Sequence, residues 1–226
     1  MKRSLTFAAV ALFTAAAPLS AQIMLDIANV SGAVIQFVGT GDNVFFVAAP
    51  SGPDTGFDFK ITTPTSPLVN FRGNIDGLFT IGAITVSGSL QEAPVSGSGT
   101  FSIWDGATSL TADLVWLDTL TYRSIGGLNT DSALNLSNFT YTGLNQDLAD
   151  LRDYGNSNLG SLVVSFQFAS SKSLTTLTTD GQENSTSYSG TLNVIPEPST
   201  YAAILCVLSL GVVGVKRWRG RKALAA

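Results

Sequence analysis

The sequence predicts an all-β fold, a β-sandwich or jelly-roll ectodomain, set between an N-terminal signal peptide and a C-terminal transmembrane helix. Three observations lead there. Apolar and polar residues alternate with period two along several segments, the mark of half-buried strands. Glycine, proline, asparagine and aspartate punctuate those segments at short intervals, as turns do. Each end of the chain carries an apolar run beside basic residues, unlike anything between them. The implied boundaries are residues 1–21 for the signal peptide, 22–194 for the ectodomain and 195–226 for the tail.

At the N-terminus, Lys2 and Arg3 precede an apolar stretch from Leu5 to Ala17, and small residues follow. That order is a secretory signal peptide. Cleavage is expected after Ala21, with Ala17 as the alternative, and a retained N-terminal anchor is the competing reading. No cysteine follows the run, which excludes a lipoprotein signal.

The strands come next. Phe57 to Thr62 alternates strictly, and so do Leu110 to Trp116 and Leu162 to Phe168. Further strands are expected over Ile23–Ala28, Ala33–Val38, Val44–Ala48, Leu78–Val86, Gly99–Trp104, Ala133–Tyr141 and Ser187–Val194. Turns are expected at residues 39–43, 51–54 and 96–99 and at Asp180-Gly181. About ten short strands with close turns favour a sandwich or jelly roll over a parallel β-helix, for which no fixed-period repeat is present.

One segment breaks the pattern. Leu144, Leu148 and Leu151 recur at helical spacing through Asn145–Tyr154, and Gly155 follows as a C-terminal stop. The expected element is a short amphipathic helix at one end of the domain, with Asp147 flanking the apolar stripe and Asp150 pointing outward.

Composition bounds the chemistry. Fifteen acidic and five basic residues lie between Gln22 and Ile195, a net charge of −10 that the whole-chain value of −4 conceals. A domain this acidic is not expected to bind nucleic acid or an anionic surface through its overall charge. The chain has no histidine, which removes Ser-His-Asp and Cys-His catalysis and the usual zinc sites. The single cysteine, Cys206, lies in the apolar tail, so the domain forms no disulfide. No phosphate-binding loop is present. No catalytic or cofactor-binding residue is therefore assigned.

Weaker candidates remain. Asp42, Asp54 and Asp58, with Asn43, sit in or near neighbouring loops where carboxylates could take up Ca²⁺, although no calcium-loop spacing is matched. Asp113 and Asp118 are the carboxylates a secreted glycoside hydrolase would draw on. Trp104, Trp116, Tyr122 and Tyr141 are aromatic candidates for carbohydrate binding, against the reading that a tryptophan on an alternating strand is core. The hydroxyl-rich stretches 62–66 and 170–191 are expected to be exposed edges and loops. Asn29, Asn135, Asn138 and Asn184 begin N-glycosylation sequences.

The tail has three parts. Pro196, Glu197 and Pro198 form a stiff, extended peptide, because proline fixes φ and biases the residue before it away from helix. An apolar run over residues 201–215 is short for a bilayer span unless its flanks are counted. Lys216, Arg217, Arg219, Arg221 and Lys222 then form a basic stop, retained in the cytoplasm by the positive-inside rule. A buried core helix is the competing reading, but residues 202–215 have no polar stripe.

In this order, beside a signal peptide, the tail resembles the PEP-CTERM sorting signal of Gram-negative bacteria. The resemblance covers about the last thirty residues. It implies processing near Pro196-Glu197-Pro198 by an exosortase-like membrane protease. It further implies an inner-membrane anchored precursor, then release to the cell surface or the exopolysaccharide matrix. The same tail is sometimes labelled the C-terminal region of an ice-binding protein, a label that describes the tail alone. Cys206 is apolar filler within the run. The sequence thus points to a non-enzymatic exported surface or matrix protein, with a carbohydrate-binding module and a secreted glycoside hydrolase as the alternatives.

Overall fold

A computed structural model describes residues 23–122 and 128–194. The expected signal peptide, the sorting motif, the apolar run and the basic stop all lie outside the described residues. Among the described residues no helix is long and apolar enough to cross a membrane.

The described chain runs β1 (Ile23–Asn29), β2 (Val34–Val38), β3 (Asn43–Val47), β4 (Phe59–Ile61), β5 (Arg72–Gly77), β6 (Phe79–Ile81) and β7 (Thr85–Ser87). It continues through β8 (Leu90–Ser96), β9 (Ser98–Trp104), β10 (Ser109–Tyr122), β11 (Leu128–Thr140) and helix α1 (Gln146–Asn158). It ends with β12 (Gly160–Gln167), helix α2 (Leu174–Leu177), β13 (Glu183–Thr186) and β14 (Tyr188–Val194).

The all-β expectation holds, in a specific form. Eight strands in the order β11-β12-β14-β1-β4-β5-β9-β10 are joined antiparallel, and β10 returns to β11. The cycle is a closed barrel. The sequence reading expected a sandwich or jelly roll; strand periodicity cannot separate these, because alternation reports which face is buried and not which strand closes the sheet. Five more strands, β8-β6-β3-β2-β13, continue from β10, and β7 pairs with the far part of β8.

Strand β10 serves both assemblies, and a bulge lets it. Its first half pairs with β9, Ser109↔Trp104 through Val115↔Ser98. Its second half pairs with β8, Asp118↔Pro94 through Tyr122↔Leu90. Between them the register to β11 shifts at Trp116/Asp118. The even residues Leu110, Ala112, Leu114 and Trp116 are buried before the shift, and the odd residues Thr119 and Thr121 after it. One extra residue reverses which side chains face inward. The Trp116 indole Nε1 donates to the Asp118 carbonyl across the bulge at 2.8 Å.

The core has two parts that merge. Inside the barrel Phe59 and Phe101 stack with centroids 5.3 Å apart. Gly73 lies in the strand between them, and a Cβ there would stand 2.4 Å from the Phe59 Cζ. An aromatic seam then joins the second group of strands to the barrel. Phe37 of β2 meets Phe166 of β12 at 5.0 Å, Phe46 of β3 meets Tyr188 of β14 at 4.9 Å, and Phe79 of β6 meets Trp116 at 5.1 Å. Such pairs add to burial by about 0.5–1.5 kcal/mol each.

Helix α1 lies against β11 and β14. Asn145 caps it, its side chain accepting from the Leu148 N–H at 3.1 Å. Leu148 and Leu151 are buried as expected, but Leu144 stands fully exposed ahead of the cap. Gly155 is no stop: the helix runs on to Asn158, and Leu159 ends it with φ 59°. The glycine is needed for a close approach, since a Cβ would meet the Phe139 ring at 2.5 Å.

Candidate functional site

The calcium candidates do not gather. Asp42 sits at the β2–β3 turn with φ 52°, and its carbonyl accepts from the Ile81 N–H at 2.8 Å. Its neighbour Asn43 accepts from the Thr80 hydroxyl at 3.4 Å. Asp54, in the loop after β3, is held by the Arg72 guanidinium. Asp58 faces the interior. Among the described residues no three Asp, Glu, His or Cys side chains come together in a way that would hold a metal ion.

Asp58 is the most unusual of these groups. It is only 3% exposed, and its Oδ2 accepts from the Ile75 N–H at 2.7 Å. Burial pushes its carboxyl up to about 6; the Ile75 bond opposes the shift and the charge of Asp76 adds to it. The Tyr188 hydroxyl is buried with no hydrogen-bond partner. Burial, then the Asp58 charge, holds that phenol above its ordinary range. Asp58 is a loop ligand in the sequence analysis, and Tyr188 has no role there; alternation through Phe57, Phe59 and Ile61 puts residue 58 on the outward face, so the burial of Asp58 at the bend before β4 leaves no mark in the local pattern.

The aromatic candidates separate cleanly. Trp116 is 1% exposed and belongs to the seam. Tyr141 is buried, and its hydroxyl donates to Asp105 Oδ2, which holds that carboxyl below its usual range. Tyr122 ends β10, and its side chain falls outside the described part. Trp104 is 37% exposed on the outer wall of the barrel. Its cross-strand partners are Arg72 on β5 and Ser109 on β10.

The hydrolase candidates lie far apart. Asp113 is exposed and accepts from the Asn138 amide at 2.7 Å. Asp118 sits at the bulge, five residues further along β10, roughly 16 Å away at about 3.3 Å per residue. Paired glycosidase carboxylates stand about 5–9.5 Å apart. On α1, Asp147 is half-buried and Asp150 is exposed, where it accepts from Gln146 at 2.7 Å.

The stretch 170–191 is not simply exposed. Leu174 and Leu177 of α2 are buried. Gln91 and Thr175 exchange two hydrogen bonds, at 3.0 and 3.1 Å, and Thr121 accepts from the Leu174 N–H. Among the glycosylation sequences, the Asn184 amide is buried and Asn29 is tied to the Ala33 carbonyl at 2.8 Å. Asn138 is taken by Asp113, and Asn135 is exposed on β11.

One feature of the outer wall was not anticipated. A groove of about 420 Å³ crosses β14, β1 and β12, with Asp26, Thr62, Ser165, Ser189 and Thr191 among its lining. The Thr191 hydroxyl donates to Asp26 Oδ1 at 2.9 Å. Gly190 sits opposite the inward residue Ile27, and it lets β14 and β12 lie close, since a Cβ there would meet the Val163 carbonyl oxygen at 2.6 Å. Serine and threonine scattered over three strands gave no local motif; only the register brings them together.

Comparison with protein-family models, curated proteins and solved structures gives no match to this chain. The likeness of the tail to a sorting signal therefore rests on the order of its own residues.

Proposed function

We propose that the chain is a non-enzymatic exported protein of the cell surface or extracellular matrix. Residues 201–215 hold it at the inner membrane until a protease of the exosortase kind acts near Pro196-Glu197-Pro198. One observation carries the reading from sequence to geometry. Strands β1 and β14 pair antiparallel with Ile23 opposite Val194. The segment before the barrel and the tail after it therefore attach side by side, at one end of the domain. A domain so arranged can be delivered by its N-terminal segment, retained by its C-terminal one and freed by a cut at a single place. Reporter fusions after Val194 and after Ala226 test the topology: the first reports from outside the membrane and the second from the cytoplasm. A cytoplasmic signal from the first fusion contradicts it.

A second reading, a carbohydrate-binding module at the cell surface, is favoured by Trp104. Among the aromatic candidates whose side chains are described, it is the one the barrel presents to solvent, and neighbouring strands set polar side chains beside it.

A further inference from the structure

The exposed tryptophan does not stand alone. The outward residues Lys60, Arg72 and Trp104 occupy paired positions on β4, β5 and β9. They form one row across the strands, spanning two strand spacings of about 4.8 Å. Two of the five basic residues in a domain of net charge −10 therefore stand next to its exposed indole. Lys60 is exposed, and among the described residues no salt bridge engages it. Asp54 takes the Arg72 Nε, which holds the guanidinium in place and offsets part of its charge. The row runs into the hydroxyl-lined groove: Lys60 pairs with Ala28, and Thr62, two residues on along the chain, lines the groove itself.

We propose that this row and the adjoining groove bind a uronate-bearing polysaccharide. The inference rests on the carbohydrate-binding reading of the domain and names its site and substrate class. The apolar C–H face of a sugar ring packs on the indole of Trp104. Carboxylates of the chain meet Arg72 and Lys60, the former in the forked geometry that suits a carboxylate. Hydroxyls of the next sugar reach Thr62, Thr191 and Asp26 in the groove. A few placed polar groups around an aromatic surface is the usual composition of a small-molecule site, and the groove volume falls within the usual range. A neutral polysaccharide offers the two cations only hydroxyl acceptors, which bind them more weakly than carboxylates do. Single-stranded nucleic acid would also stack on an indole, but it draws its affinity from a basic groove that tracks the phosphates, and the groove beside this row is lined by Asp26 and hydroxyls with no basic residue.

The test uses the full-length protein in detergent. Its probes are polygalacturonate, the same polymer with its carboxylates reduced to alcohols, and a single-stranded oligonucleotide. The wild type is expected to bind polygalacturonate, with at least about tenfold weaker binding to the reduced polymer and to the oligonucleotide. Trp104→Ala and Lys60→Gln are each expected to weaken polygalacturonate binding about tenfold, corresponding to about 1.4 kcal/mol. Lys60 is exposed, so Lys60→Gln should melt as the wild type does; Trp104 is 37% exposed on the outer wall, and Trp104→Ala is compared at a temperature where its own melt shows it folded. Lys172→Gln, which removes a cation outside the row, should bind as the wild type. Failure of the wild type to bind polygalacturonate overturns the proposal. So does equal binding of the reduced polymer, tighter binding of the oligonucleotide, or unchanged affinity in Trp104→Ala. None of these outcomes touches the export reading, which is scored by topology and processing.

Discussion

Asp58 shows how one residue is placed by burial rather than by its charge. A carboxyl inside the fold with a pKa near 6 favours its protonated form more than the unfolded chain does. The folded state therefore binds the extra proton between the ordinary value of 3.8 and about 6, and stability falls as pH rises through that window. The contribution is at most about 3 kcal/mol, from roughly two pK units at 1.36 kcal/mol each. Asp58→Asn keeps an acceptor for the Ile75 N–H and removes the charge. Thermal melts should show the variant more stable than the wild type at pH 8 and close to it at pH 4; a variant less stable at pH 8 contradicts this. Gly155 makes the same point through sterics. Alanine in a helix is normally worth about 1 kcal/mol over glycine. Here its Cβ would press on the Phe139 ring, which is buried in the core. Gly155→Ala should therefore destabilise, by about 1–3 kcal/mol on the scale of an overpacked core. A higher melting temperature in that variant would show that the ring gives way.

The elements were legible in proportion to how far local pattern decided them. Strands β1, β2, β3, β9, β12 and β14 were read to within about two residues, because each has an inward apolar face of its own. Strand β5, Arg72–Gly77, was missed: its Gly73, Asn74 and Gly77 are turn formers, and the barrel uses the glycines where aromatic rings come close. Strand β8 was missed because Pro94 interrupts it, and proline in a run argues against a strand. The expected strand over residues 78–86 is two strands, β6 and β7, which pair with opposite ends of β8. The bulge in β10 was invisible for another reason: its consequence is a change of parity, and alternation on either side looks regular. Trp116→Phe removes the indole bond to the Asp118 carbonyl and shrinks a ring packed against Phe46 and Phe79. It should cost at least about 1–2 kcal/mol, the worth of the hydrogen bond, with the lost packing added to it. Urea melts would show it as a lower midpoint with an unchanged slope. A variant as stable as the wild type would show that the bulge holds without the bond.

At the scale of the whole molecule, closure of the barrel depends on pairing between distant parts of the chain. Strand β1 joins β14 and β4, and no local pattern records that choice. The surface row and the groove depend on the same pairings, so the site was legible only as single residues, Trp104 among them. Stability must come from burial, because the lone cysteine lies in the tail. Reducing agent should leave the melting temperature unchanged. Calcium at millimolar concentration should leave it unchanged as well, since Asp42, Asp54 and Asp58 stand apart; a ligand selective for the folded state would raise it. The tail makes the remaining claim. On the proposed reading, the two prolines around Glu197 offer a protease an extended peptide at little ordering cost, and the arginines beyond residue 215 serve as the stop that keeps the apolar run in place. Glu197→Ala, or alanine at both Pro196 and Pro198, should leave membrane insertion intact and block release. The central claim is that the anchor is temporary, and the C-terminal mass of the mature protein, from a host that carries the processing enzyme, tests it most directly. The account predicts mature molecules that end near Pro196-Glu197-Pro198 and lack residues 201–226; mature molecules that still carry Tyr201 to Ala226 would contradict it and leave the tail as a permanent membrane anchor.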